Sequence, residues 1–89
     1  MEYEMLSENK ILLDSNYGEL LIQDVFDCDA PNTSSVAVYS GENHDEYRGE
    51  VIGYTVSMIQ SILDDEEYAY RCEAMERFFD CMERDCNFY

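Results

Sequence analysis

Basic residues are scarce in this chain. Five Lys+Arg stand against 21 Asp+Glu in 89 residues, a formal net charge of −16 at pH 7 and a pI near 4.1. Direct binding to DNA or RNA is thereby excluded, because it needs cationic groups that displace counterions from phosphates. An anionic membrane surface would repel the chain for the same reason, whereas a basic protein surface would attract it. No apolar run approaches the roughly 18 residues of a membrane span. The start, Met1-Glu2-Tyr3-Glu4, lacks the basic and apolar regions of a secretory leader, so the sequence reads as cytoplasmic, within a bacterial host cell. One Pro and four Gly leave no linker or low-complexity tract, and the expectation is a single domain over 1–89.

Histidine occurs once, as His44, and the four cysteines (Cys28, Cys72, Cys81 and Cys86) include no C-x-x-C pair. Zinc sites ordinarily combine a close cysteine pair with further Cys or His, so no metal or other cofactor is expected. The thiols read as reduced: Cys72 in the core, Cys81 half-buried and Cys86 at a fraying helix end. No nucleophile–base–orienter set is legible around His44 or the serines, which points away from an enzyme.

Hydrophobic residues nevertheless make up 46% of the chain, enough for a folded core. Residues 1–9 read as a short helical turn or a first strand. Ile11-Leu12-Leu13 reads as a strand, followed by a turn at Asp14–Gly18. A second strand covers Glu19–Phe26, with Asp24 out of phase in its alternation. The segment from Asp27 to Ser34, around Pro31, carries the strongest loop signal. Ser35–Tyr39 is a third strand, closed by Ser40-Gly41-Glu42-Asn43.

The period then changes. Val51, Tyr54, Thr55, Met58, Ile59 and Ile62 predict a helix from Asp45 or Glu46 to Leu63, weakened by Gly49 and Gly53. Tyr68, Cys72, Met75, Phe79 and Met82 predict a second helix to about Asp85, with Asp64 or Asp65 as its N-cap. The expected fold is α+β: a three-stranded antiparallel sheet packed by two C-terminal helices, with a possible short N-terminal helix.

The acids are the candidate site. From Asp64 to Asp85 the sequence places nine carboxylates and three arginines, about one carboxylate per ~3.7 Å if the whole stretch is helical. A DNA strand carries one phosphate per ~3.4 Å. Asp64, Asp65, Glu66, Glu67, Glu73, Glu76, Asp80 and Glu83 are therefore read as facing a basic partner. Glu42, Asp45 and Glu46 form a second acidic cluster. Tyr70, off the apolar stripe, adds an aromatic face for cation–π contact.

This layout resembles small, very acidic phage-encoded anti-CRISPR proteins that block Cas9. The resemblance rests on three strands followed by two helices, on the Ser40-Gly41-Glu42-Asn43 strand exit, and on the Asp64-Asp65-Glu66-Glu67-Tyr68 run. It implies occupation of the site where Cas9 arginines read the protospacer-adjacent motif. The chain itself is expected to be a monomer or dimer. An immunity protein or antitoxin that neutralises a basic nuclease toxin needs the same charge and is the alternative.

Overall fold

The computed structural model describes residues 2–26 and 34–88. Five strands come first: β1 (Tyr3–Ser7), β2 (Lys10–Ser15), β3 (Gly18–Asp24), β4 (Ser35–Ser40) and β5 (Glu46–Ile52). Two helices follow, α1 (Val56–Leu63) and α2 (Tyr68–Asp85). The strands form one antiparallel meander in chain order, and both helices lie on one face. The α+β class and the two C-terminal helices are as expected, but the sheet has five strands rather than three. The predicted loop at 27–33, with Cys28 and Pro31, lies outside the described residues.

The two extra strands have physical causes. Residues 3–7 form β1 rather than a helical turn because Tyr3 and Met5 alternate with Glu4 and Leu6. This pattern places Tyr3 opposite Leu13 and Met5 opposite Ile11, against the core. The helix expected to begin at Asp45 or Glu46 begins instead at Val56. Tyr47, Val51 and Ile52 favour extended backbone, and in that state they pair with β4, which would otherwise leave an edge of unpaired amides and carbonyls. A bulge between Val38 and Tyr39 inserts Arg48, and Gly53 turns the chain into α1.

One face of the sheet carries Ile11, Leu13, Leu20, Ile22, Val36, Val38 and Val51, all fully buried. Val56 and Ile59 of α1, and Phe78 and Met82 of α2, close over them without residual exposure. The buried stripe of α2 is centred on Met75, Phe78 and Met82. This is a rotation from the predicted stripe: Phe79 and Cys72 are half-buried, and Tyr68 is 69% exposed rather than part of the core. Phe78 is the better core residue because it meets Tyr54 edge-on at 5.0 Å between ring centres. Among the described residues no helix is long and apolar enough to cross a membrane.

Asp24 is out of phase for a reason. It lies on the inner face, and its Oδ1 accepts a hydrogen bond from the Val56 N–H at 2.8 Å. Thr55 Oγ1 accepts from the Met58 N–H at 3.1 Å, so two of the unpaired donors at the start of α1 are satisfied, one of them from 32 residues away. At the other side of the sheet, the residues after α2 lie along β5. Gly49 bridges to Cys86, and the Asn87 N–H donates to the Arg48 carbonyl at 2.8 Å.

Substitutions at Asp24, Gly49 and Gly18 should separate in urea unfolding. Asp24→Ala should cost about 1–2 kcal/mol by stripping the Val56 amide of its acceptor, and Asp24→Asn should recover part of this. Gly49→Ala should cost about 3 kcal/mol, because at a φ of +147° an added Cβ would sit 2.8 Å from the Asp85 carbonyl oxygen. Gly18→Ala, at a φ of +89° with nothing nearby, should cost only ~1 kcal/mol.

Candidate basic-partner interface

The helix α2 begins four residues after Asp64, the acceptor of the Tyr3 hydroxyl of β1, and ends at β5, where Cys86 meets Gly49. Its path takes it past the β2–β3 turn. In that turn the Ser15 hydroxyl donates to the Gly18 carbonyl at 2.8 Å and accepts from the Tyr17 N–H at 3.1 Å. These bonds hold Tyr17 against Phe79 and Phe88, with ring centres 6.2 and 4.9 Å away.

Glu73, Glu76, Asp80 and Glu83 follow a three-four-three spacing and share one exposed face of α2, opposite Met75, Phe78 and Met82. Glu73 pairs with Arg77 at 2.6 Å. Among the described residues no Lys, Arg or His nitrogen lies within ion-pairing distance of Glu76, Asp80 or Glu83. These three carboxylates form one wall of an open groove of about 330 Å³, and Asn16, Tyr17 and Phe79 complete it. Like charges at these helical spacings each cost about 0.2–0.5 kcal/mol, and among the described residues no ion pair offsets them at Glu76, Asp80 or Glu83. A Lys or Arg side chain entering the groove would meet carboxylates and aromatic faces together.

The remaining expected site residues divide into two groups. Glu42, Asp45 and Glu46 are exposed around the β4–β5 turn, at the same end of the sheet as Tyr17. His44 Nε2 lies 2.6 Å from Glu19 Oε1 across those turns, and Glu46 is engaged by Arg48 at 2.7 Å. Asp64, Asp65, Glu66 and Glu67 precede α2 rather than starting it. Asp64 caps the end of α1, and Glu67 stands at the N-cap of α2 without a side-chain bond. Asp65 Oδ1 accepts from the Glu67 N–H at 2.8 Å, so its role is to shape the link between the helices. Tyr70, half-exposed, borders a separate groove with Met58 and Ile62. The run that begins at Asp64 is thus not one continuous helical row, since α2 alone carries five carboxylates in 18 residues. Tyr17 and Phe79 were missing from the expected site, because their meeting depends on contacts between residues more than 60 positions apart.

Two groups are shifted furthest from their ordinary values. The hydrogen bond donated to Glu83 pushes the Tyr17 phenol up to about 12, with burial and the charges of Glu83 and Asp80 adding to it. Burial, followed by the charge of Asp85, pushes the Cys86 thiol up to about 11, so the buried Cys86 is an unreactive thiol rather than a frayed one. Among the described residues no cluster of His, Cys, Asp and Glu is placed to hold a metal ion.

No family model matches the chain, and no curated protein or solved structure matches it.

The Tyr17–Glu83 contact has a pH signature. Its stabilising effect is complete below the ordinary phenol value of 10.0 and is lost as pH rises through about 12. In an ultraviolet titration, the transition that disappears in Tyr17→Phe should be among the last to occur, and Glu83→Gln should bring it back toward 10.0.

Proposed function

We propose that this protein is an acidic inhibitor that docks on the nucleic-acid-binding surface of a basic protein and keeps DNA off it. The most concrete target is a Cas9-type CRISPR effector inside a bacterial cell. The protein acts by occupancy, without catalysis and without a cofactor. One observation carries this reading: Glu76, Asp80 and Glu83 stand in an exposed row with no basic partner among the described residues, beside the aromatic wall of Tyr17 and Phe79. A fold that keeps such a row tolerates self-repulsion that a cationic partner would relieve.

The charge supports the reading more than the layout does. The five-stranded meander, with β1 in place of an N-terminal helix, departs from the helix and three strands of the acidic Cas9 inhibitors. The two functional groups of carboxylates are also separated. Glu83 lies 15 residues beyond Tyr68, ~22 Å along the axis from the Asp64–Glu67 link. The groove end of α2, together with Glu42 and Asp45, is the better-defined contact surface.

The test is binding of guide-loaded Cas9 to DNA carrying its protospacer-adjacent motif, with and without this protein, at low and physiological salt. The expected result is displacement of DNA by a protein that binds Cas9 directly, with association slowing as salt rises. Combining Glu73→Gln, Glu76→Gln, Asp80→Asn and Glu83→Gln should weaken that binding by about 100-fold, ~2.7 kcal/mol. Urea unfolding of the same variant should change by less than about 1 kcal/mol, because the like-charge repulsion it removes is set against the Glu73–Arg77 pair and the Tyr17–Glu83 bond that it weakens. DNA binding left intact with the protein bound would overturn the occupancy mechanism. No association at either salt would overturn the Cas9 target and direct the search to a basic nuclease toxin.

A further inference from the structure

Both helices pack on one face of the sheet; on the other, no described helix overlies the strands, although Ser35 (7% exposed) and Ala37 (3%) are buried there. On that open face the strand register aligns Leu12, Leu21, Tyr39 and Tyr47 in one row across β2 to β5. Tyr39 and Tyr47 meet edge-on at 5.5 Å, and Tyr47 is 56% exposed. The row spans three inter-strand steps, about 14 Å.

A parallel row of carboxylates runs beside it. Asp14 and Glu19 are opposite one another, and the Asp14 N–H donates to the Glu2 carbonyl at 2.9 Å, which brings Glu2 alongside. With Glu4 and Leu12 these acids surround a hollow of about 280 Å³. The opposite flank carries Lys10 facing Gln23, continued across the sheet by Ala37 and Glu50.

We infer that this open face is a second docking surface, and that its occupant is a basic amphipathic helix of a partner protein. An α-helix laid across the strands presents an apolar residue every turn, about 5.4 Å, close to the ~4.8 Å spacing of the row. Lys or Arg on one flank of that helix would face Glu2, Asp14 and Glu19, the last already 2.6 Å from His44 Nε2, and its other flank would pass Lys10 and Glu50. A second copy of this chain does not fit, because two chains of net charge −16 would bring like charges together. Nucleic acid and anionic lipid are excluded on the same ground. The inference stands on the sheet register and does not depend on the target proposed for α2.

The probe is a synthetic helical peptide of about 18 residues with Leu along one stripe and Lys/Arg on one flank. Amide shifts of the full chain would be followed by NMR at about 50 mM salt. The expected result is shifts at Leu12, Leu21, Tyr39 and Tyr47, with roughly tenfold weaker binding for Tyr47→Ser and for Leu21→Lys. Tyr47→Ser alters an exposed side chain and stands if Leu21→Lys fails to fold. The Glu76→Gln, Asp80→Asn pair should change peptide affinity by less than about twofold, which separates this surface from the α2 row. Shifts confined to α2, equal binding by the Tyr47→Ser protein, equal binding by a scrambled peptide of the same charge, or no binding would each overturn the inference.

Discussion

Burial of a single sheet face has to hold this molecule together against its own charge. With 21 acids and five Lys+Arg, electrostatics opposes compaction almost everywhere on the surface. The opposing term is the apolar layer between the sheet and the two helices, in which Ile11, Leu13, Leu20, Ile22, Phe78 and Met82 have no exposure. This arrangement explains the separation of roles along α2. Its inner side is committed to the core at Met75, Phe78 and Met82, and its outer side is free to collect carboxylates. Charge and packing are therefore divided by helical periodicity rather than by separate segments.

Strand patterning in the first half was legible because its turns are written locally, with Ser15, Asn16 and Gly18 between two apolar stretches. The third and fourth strands and the exit at Gly41 were legible for the same reason. The edges were not. β1 looked ambiguous because its five residues bury only Tyr3 and Met5 in part, and β5 looked helical because Val51, Tyr54, Thr55 and Met58 share spacings of three and four. What decided β5 was the unpaired edge of β4, a property of the assembled sheet that no window of sequence contains. Phe78 and Phe79 show a finer limit. Adjacent aromatics fit a helical stripe almost equally well, and only the position of Tyr54 selects between them.

The acids were legible as a surface but not as a geometry. Counting carboxylates from Asp64 suggested one continuous rod, whereas the chain spends Asp64 and Asp65 on ending α1 and shaping the link. The row that survives is shorter and better furnished, since the turn residue Tyr17 supplies an aromatic wall and a donor to Glu83. Carboxylates beside exposed ring faces offer a guanidinium two kinds of attraction at once, and such pairs discriminate Arg from a plain positive potential.

The bond from the Val56 amide to Asp24 also works as an error check on folding. The buried face already opposes a one-residue slip of β3, which would turn Leu20 and Ile22 outward, whereas a two-residue slip keeps the alternation. A slip by one residue would present Gln23 or Val25 where α1 begins and would bury or expose Asp24 without a donor. A slip by two would move the carboxylate roughly 7 Å along the strand. Only the native alignment of β3 gives the start of α1 this acceptor, so an acid that looks misplaced in its strand favours the register on which the second layer packs.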